Sequence, residues 1–164
     1  MENQKAELKK IKDLISEIRT GTLITHSNVD GLTGRPMGTA EISDEGDLWF
    51  FTNEFTEKVE EISENNEVLV SYAGPSDNSY VIVNGKASLV KDKAKMERLW
   101  NPALKAWFPK GLEDPQMMLL KVEPDQVEYW SGSSSKIVVA FQILKAMVKG
   151  EKFSGGEHQK IDVH

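Results

Sequence analysis

The chain contains no cysteine, and this absence excludes several kinds of protein. It rules out a disulfide scaffold, a thiolate metal site and a redox-active thiol. Because disulfides form in oxidising compartments, a chain without cysteine fits a reducing one, and we expect a cytoplasmic protein. The sequence also lacks any apolar run near the ~20 residues that a membrane-spanning helix needs. Its first residues are charged, unlike a secretory signal peptide, so we expect no membrane association.

Basic residues are in the minority. The 164 residues include 20 Lys and Arg against 26 Asp and Glu, which gives a formal net charge of −6 at pH 7. Proteins that bind nucleic acids present a basic surface to the phosphates, so this balance argues against nucleic acid as a partner. A local basic pocket for a single phosphate remains compatible with an acidic surface.

Familiar catalytic motifs are lacking as well. His26, His158 and His164 are scattered, without the spacing of metal ligands. There is no Gly-x-Ser-x-Gly motif, and residues 131–136 lack the second glycine of a phosphate-binding loop. The adjacent acids Glu60 and Glu61 are expected on a solvated helix face. With no acid–base or nucleophilic constellation, a bound cofactor would have to supply any chemistry.

What the sequence does contain is typical of one soluble globular domain. Hydrophobic residues make up 39% of the chain and charged residues 28%. A chain of 164 residues is long enough for one proper core. We place a single domain at 1–150 and a polar C-terminal tail at 151–164, which we expect to be loose.

Short apolar runs with turn signals between them predict about six or seven strands, besides four helices. The short connections favour antiparallel pairing, and closure into a barrel would remove the edges. The run from Leu48 to Thr52 is apolar on both sides of the strand alternation, which predicts a central strand. Gly85 inside a long strand predicts a bulge or the close approach of another group. Two more strands are expected at 117–122 and 126–130, around a Glu-Pro-Asp turn, and a helix at 137–148.

The most informative segment begins at Arg35 and ends at Lys58, and it is predicted to form strand, turn, strand and helix start. A lysine in a first helical turn is unusual, because the helix dipole makes that end positive. An anion held by the free N–H groups of the helix end and by the lysine would explain it. Arg35 and Lys58 therefore predict a phosphate site, against the alternative of two solvated cations. Thr52 and Thr56 can donate hydroxyls to the same anion, although strand propensity and helix capping also explain them.

Small residues and tryptophans leave alternatives open. Gly38 and Ala40 alternate along one predicted strand, which fits either a flat ligand against the backbone or tight packing of sheet on helix. Trp49 is expected in the core, because its large side chain lies in an apolar strand. Trp107 and Trp130 fit a core position and a pocket position equally well.

A series of short segments, taken in order, carries a family resemblance. They are Gly34-Arg35-Pro36-Met37, Leu48-Trp49-Phe50-Phe51-Thr52-Asn53, Thr56-Glu57-Lys58, Tyr80-Val81-Ile82-Val83-Asn84-Gly85-Lys86-Ala87, Leu99-Trp100-Asn101-Pro102, Ala106-Trp107-Phe108-Pro109-Lys110-Gly111 and Glu128-Tyr129-Trp130. In order and spacing they resemble the general stress protein family of flavin-binding split barrels, which is related to pyridoxamine 5′-phosphate oxidase. The resemblance covers nearly the whole chain.

The resemblance implies a mainly β (α+β) fold, a six-stranded antiparallel split β-barrel with flanking helices. It also implies a homodimer with FMN in two clefts between the subunits. The implied cofactor-binding residues are Arg35 and Lys58 at the phosphate, Met37, Phe51 and Thr52 along the flavin, Thr56 with a hydroxyl where the family usually has serine, and their neighbours Pro36 and Asn53. Ser71, Gly85 and Trp107 would come from the facing subunit.

One departure from the pattern concerns activity. In pyridoxamine phosphate oxidases a C-terminal Arg-x-His pair binds the substrate phosphate, whereas this chain has no arginine after Arg98. Oxidation of pyridoxamine 5′-phosphate is therefore not expected. The leading hypothesis is an FMN-binding stress-response-type protein with weak flavin-dependent oxidoreductase activity. The alternatives are a non-enzymatic flavin carrier or sensor, and a split barrel that binds haem or deazaflavin.

Overall fold

A computed structural model of the chain describes residues 2–76, 78–132 and 157–162. Within these ranges the fold is mainly β, with antiparallel strands and flanking helices, as the sequence predicts. The helices are α1 (Glu2–Ile18), α2 (Glu57–Glu64) and α3 (Lys93–Leu99), with short 3₁₀ helices at Pro102–Ala106 and Gly111–Glu113. None of the described helices is long and apolar enough to span a bilayer. The strands are β1 (Thr20–Ser27), β2 (Gly31–Gly38), β3 (Glu41–Ile42), β4 (Leu48–Asn53), β5 (Glu67–Gly74), β6 (Ser79–Val90), β7 (Met117–Ser131) and β8 (Glu157–Asp162).

The described strands form one sheet in the order β2-β1-β5-β6-β7-β4-β3, with β8 paired to β7. Every pairing is antiparallel. The eight strands exceed the six expected, because the two-residue β3 and the C-terminal β8 extend the sheet. Among the described strands, the hydrogen-bonded path ends at β2 on one side and at β4 with β3 on the other. The sheet is therefore open between β2 and β4.

The core has an inner part and an outer part. The inner cluster lies within the curled sheet and is covered by α1, whose Ile11 and Ile15 are buried against it. The outer cluster packs Trp49 and Phe51 of β4 against α3 and β7. Trp49 is only 8% exposed, which confirms its predicted place in the core.

Strand β4 lies near the end of the sheet although it is buried on both faces. Leu48 and Phe50 belong to the inner cluster, whereas Trp49 and Phe51 belong to the outer one. Its two neighbours are β7 and the two-residue β3. The prediction of a central strand is therefore wrong. The outer face of β4 is buried because α3 and the segment after α3 pack against it, and not because the strand lies in the middle of the sheet.

Strand β7 runs unbroken from Met117 to Ser131, so the prediction of two strands around a turn is wrong. Pro124 lies opposite Gly85, where the register of β6 and β7 shifts, and this confirms the predicted bulge. Proline has no N–H for a regular ladder, and an irregular position accommodates it. A Cβ built on Gly85 would lie 2.2 Å from the backbone oxygen of Glu123, so the pairing requires glycine there.

Residues 157–162 form β8, so the expectation of a loose tail is wrong for this stretch. The His158 ring stacks on the Trp130 ring, with 4.8 Å between centroids and 6° between planes. Its Nε2 lies 2.6 Å from a carboxylate oxygen of Glu128. Trp130 is 36% exposed and lies at the surface. The division into a domain and a tail stays a prediction, and the helix expected at 137–148 lies outside the described residues.

The bulge provides a test of the fold. We expect Gly85→Ala to destabilise the protein by roughly 1–3 kcal/mol, since the added methyl group overlaps the backbone of the neighbouring strand. Gly38→Ala is the matched control, because a Cβ at that strand residue would meet no atom within 4 Å. It should change stability by no more than about 0.5 kcal/mol. Urea unfolding measures both, and equal stabilities for the two variants would contradict the described β6–β7 pairing.

Candidate functional site

A cleft of about 430 Å³ occupies the gap between β2 and β4. The 3₁₀ helix at Pro102–Ala106 and the two residues after it form part of its wall. Of the predicted cofactor-binding residues, only Ser71 and Gly85 lie elsewhere. The lining residues are Thr20, Arg35, Pro36, Met37, Gly38, Phe51, Thr52, Asn53, Thr56, Lys58, Leu104, Trp107 and Phe108.

The order of the elements explains why these side chains meet. Among the described strands, β2 pairs with β1 alone, so Pro36 lies on an edge strand, where a proline is tolerated. Strand β4 ends at Asn53, and the chain turns there into α2. That turn brings Thr56 and Lys58 to the same end of the cleft. The arrangement follows directly from the strand, turn, strand and helix predicted for this segment.

Thr56 is the residue before α2, but its side chain does not cap the helix. Its Oγ1 donates instead to the backbone oxygen of Asn53 at 3.2 Å. Thr56 therefore occupies the predicted N-cap position, but the side-chain capping bond is missing because the hydroxyl turns back towards the strand. The Thr56 side chain therefore does not cap the first backbone N–H groups of α2. Lys58 is the second residue of the same helix.

Arg35 is bound to a polar cluster behind the cleft. Its Nη1 donates to Thr25 Oγ1 at 2.6 Å, and its Nη2 donates to Thr33 Oγ1 at 2.8 Å and to Glu61 Oε2 at 3.1 Å. The hydroxyls of Thr25 and Thr33 also donate to Glu61 Oε2. These bonds, and the Arg35 guanidinium, hold the pKa of Glu61 below its usual value despite partial burial.

The position of Glu61 corrects the sequence prediction. Glu61 was expected on a solvated helix face with Glu60, yet its side chain is 13% exposed and faces the sheet. Sequence reasoning missed it because adjacent acids on a short helix are usually solvated. A usable signal was present in the two threonines of β1 and β2, which are cross-strand partners and offer hydroxyls to one acceptor.

Lys58 lies partly buried in the cleft. Among the described residues it has no hydrogen-bond or ion-pair partner, whereas Arg35 has Glu61. Burial lowers the pKa of Lys58, and the nearby Arg35 cation lowers it further. A half-buried ammonium group without a counter-ion is unfavourable by itself, and an anion in the cleft would relieve that cost.

Thr52 contributes a second unmatched polar group. The residue is 1% exposed, and its Oγ1 has no hydrogen-bond partner among the described residues. A buried hydroxyl without a hydrogen-bond partner is uncommon in proteins, and a bound molecule would supply the missing partner. Phe51 and Met37 supply apolar wall beside it. An unpaired cation and an unsatisfied hydroxyl in one partly apolar cleft fit a phosphorylated flat ligand such as a flavin.

The cleft adjoins a second compartment of about 570 Å³. The two share Gly38, Phe51, Leu104 and Trp107 as lining residues. A Cβ on Gly38 would meet no atom within 4 Å, so tight packing does not explain this glycine. Ala40 does pack, against the outer cluster. Gly38 therefore fits the interpretation of an open surface for a flat ligand, whereas Ala40 fits the interpretation of tight packing.

Trp107 lines the cleft of its own chain and is 75% exposed, so it is a pocket residue and not a core residue. The resemblance placed it in the facing subunit. Ser71 lies on β5, between β1 and β6, and Gly85 lies where the register of β6 and β7 shifts. Their assignment to a facing subunit stays a prediction. Leu104 and Phe108, which sequence reasoning did not select, also line the cleft.

Another cavity, of about 340 Å³, lies between α1 and the barrel. Its lining is mostly apolar, with Leu8, Ile11 and Ile15 on the helix side. None of the predicted cofactor-binding residues lines it. The cavity under α1 therefore lacks the pairing of cation and hydroxyl that marks the cleft.

The sequence and the fold of the chain are similar to those of known proteins. A sequence model of the family described as pyridoxamine 5′-phosphate oxidase like matches residues 6–154. General stress protein 26 of Bacillus anthracis is 32% identical, with a TM-score of 0.68 over 75% of this chain and 92% of that chain. The general stress FMN/FAD binding protein of Xanthomonas citri is 28% identical, with a TM-score of 0.69 over 79% of this chain and 92% of that one. Protein bli-3 of Neurospora crassa is 25% identical over an alignment of 155 residues, which covers 87% of this chain and 74% of that protein.

The matched range begins in α1 and includes every strand from β1 to β7, and with them the whole cleft. The relatives share the fold at TM-scores well above those of unrelated structures. The resemblance to the general stress protein family of split barrels is thus confirmed, and the chain belongs to the pyridoxamine 5′-phosphate oxidase like family.

Proposed function

We propose that this protein binds FMN in the cleft between β2 and β4, with the phosphate at Lys58. The observation that carries the proposal is the partly buried Lys58, which has no partner among the described residues and lies in one cleft with the unsatisfied Thr52 hydroxyl. The Xanthomonas citri relative is described as FMN/FAD binding, which supports a flavin. A single pair of cations at one end of the cleft favours the one phosphate of FMN over FAD.

Each part of the cleft has a role in holding this ligand. Lys58 and the remaining donors of Arg35 bind the phosphate as charge-assisted hydrogen-bond donors. The Thr52 hydroxyl forms a hydrogen bond with a polar atom of the ligand. Phe51 and Trp107 offer apolar surface to the flat ring system. The bound flavin would supply electron or hydride transfer, which the side chains cannot supply.

The proposed activity is weak, unspecific electron transfer. No carboxylate or imidazole lines the cleft, so the described residues offer no general acid or base there other than Lys58. Glu41 lines the adjoining compartment, but its bonds to Arg98 and Lys95 hold its pKa below the usual value. It therefore stays ionised at neutral pH and cannot donate a proton.

Oxidation of pyridoxamine 5′-phosphate is not part of the proposal, and a non-enzymatic flavin carrier is the second candidate.

A homodimer is the proposed state of the flavin-bound protein. Trp107 stands 75% exposed beside the cleft, and a partner surface would cover it. We expect light scattering at micromolar concentration, with FMN present, to give twice the chain mass of 18.4 kDa. A monomer mass for the fully FMN-loaded protein would contradict this part of the proposal.

The phosphate site is tested by comparing two flavins. We expect the protein to bind FMN more tightly than riboflavin, and Lys58→Ala to weaken FMN binding by roughly 1.5–3 kcal/mol while leaving riboflavin unchanged. Lys93→Ala is the control, since it removes an exposed lysine from the first turn of α3. Flavin fluorescence titration measures the affinities of all three proteins for both flavins. Equal affinity of the wild type for FMN and riboflavin would overturn the proposed phosphate site.

The same lysine should reduce the stability of the flavin-free protein. Because its folded pKa lies below 10.5, the unfolded chain binds more protons between the two values, and stability rises with pH across that window. At neutral pH the full cost is present. Lys58→Met should therefore stabilise the flavin-free protein by up to about 1 kcal/mol, a small value because solvent screens a half-exposed group. Urea unfolding at neutral pH and near pH 10 tests this, and a destabilised Lys58→Met variant, with Lys93→Met unchanged, would contradict it.

A further inference from the structure

The carboxylate of Glu61 lies directly behind the cation predicted to meet the ligand. Glu61 does not line the cleft, whereas Arg35 does. Of the five N–H donors of an arginine, Arg35 uses one on Nη1 for Thr25 and two on Nη2 for Thr33 and Glu61. Its Nε–H and one Nη1–H have no partner among the described residues, so they remain for a ligand. Arg35 is therefore shared between an internal carboxylate and the cleft.

The charges of this group determine what a phosphate meets. Glu61 is ionised at neutral pH, because hydrogen bonds from Thr25 and Thr33 and the Arg35 charge stabilise its anion. The side chains of Arg35 and Glu61 are only 23% and 13% exposed, so solvent screens their charges incompletely. Arg35, Lys58 and Glu61 together carry one net positive charge, and the two cations alone would carry two.

We propose that Glu61 competes with the ligand phosphate for Arg35, and that it thereby lowers the affinity of the cleft for phosphorylated flavin and keeps the flavin exchangeable. This inference rests on the proposed function. The Glu61 carboxylate repels a phosphate dianion on the other side of the guanidinium. Its negative charge therefore cancels part of the attraction between Arg35 and the phosphate. Exchangeable flavin is the property that a flavin carrier or sensor needs.

The opposite role for Glu61 would be to orient Arg35 and so strengthen phosphate binding. Glu61→Gln separates the two roles. All three described donors reach the same oxygen, Oε2, and Oε1 accepts no described bond. A glutamine can place its oxygen at the Oε2 position and its NH₂ group at the other, which keeps every bond and removes only the charge. A positioning role predicts unchanged or weaker FMN binding, whereas competition predicts tighter binding.

The experiment uses the full chain, freed of any co-purified flavin. Affinities for FMN and riboflavin are measured by flavin fluorescence, and FMN release by stopped flow, for wild type, Glu61→Gln and Glu60→Gln. Glu60 is the matched control, an exposed glutamate at the neighbouring position of α2. We expect Glu61→Gln to bind FMN tighter by on the order of tenfold, through slower release, since one nearby charge is removed. Riboflavin affinity should not change, and Glu60→Gln should match the wild type for both flavins.

A second pair of variants repeats the test with a shorter side chain. Glu61→Asp keeps the charge and Glu61→Asn removes it at nearly the same size, so Glu61→Asn should bind FMN more tightly than Glu61→Asp. FMN binding that is weaker or unchanged in Glu61→Gln overturns the inference, and so does an equal gain for riboflavin. If the wild type prefers FMN and the gain is missing, only this inference fails. If the wild type does not prefer FMN, the proposed phosphate site fails with it.

Discussion

The open edge between β2 and β4 is the constraint on which the site depends. The antiparallel sheet curls far enough to enclose a core, yet its described strands form no ladder from β2 to β4. Pro36 on β2 is compatible with that edge, because a proline cannot complete a ladder on the side of its missing N–H. The outer cluster around Trp49 and Phe51 buries β4 from outside, so the strand stays ordered without a full second neighbour. The result is a stable gap and not a frayed edge.

Polar groups at this gap are treated in two different ways. Arg35 is neutralised within the protein by Glu61 and two threonine hydroxyls. Lys58 and the Thr52 hydroxyl have no such partner among the described residues. Unmatched buried groups lower stability, and proteins retain them where a ligand completes them. The Arg35–Glu61 pair and the unmatched Lys58 and Thr52 groups together support the proposed site for a molecule that carries both an anion and polar ring atoms.

The site was more predictable from sequence than the details of the sheet. Arg35 and Lys58 lie at the ends of one local unit, so their meeting needed only the correct order of strand, turn, strand and helix. The continuity of β7 depends on Pro124 facing Gly85 on another strand, and no local pattern reveals that contact. The inward position of Glu61 likewise depends on threonines from β1 and β2. Both features were missed because they depend on contacts with distant parts of the chain.

The central claim is that the cleft between β2 and β4 holds the phosphate of FMN beside Lys58. The most direct measurement is a crystal structure of the FMN-loaded protein. We expect a phosphate oxygen roughly 2.7–2.9 Å from Lys58 Nζ, the distance of a charge-assisted hydrogen bond. We also expect Thr52 Oγ1 to gain a hydrogen bond to the flavin. A flavin bound in the cavity under α1, or one whose phosphate extends into solvent away from Lys58, would contradict the account.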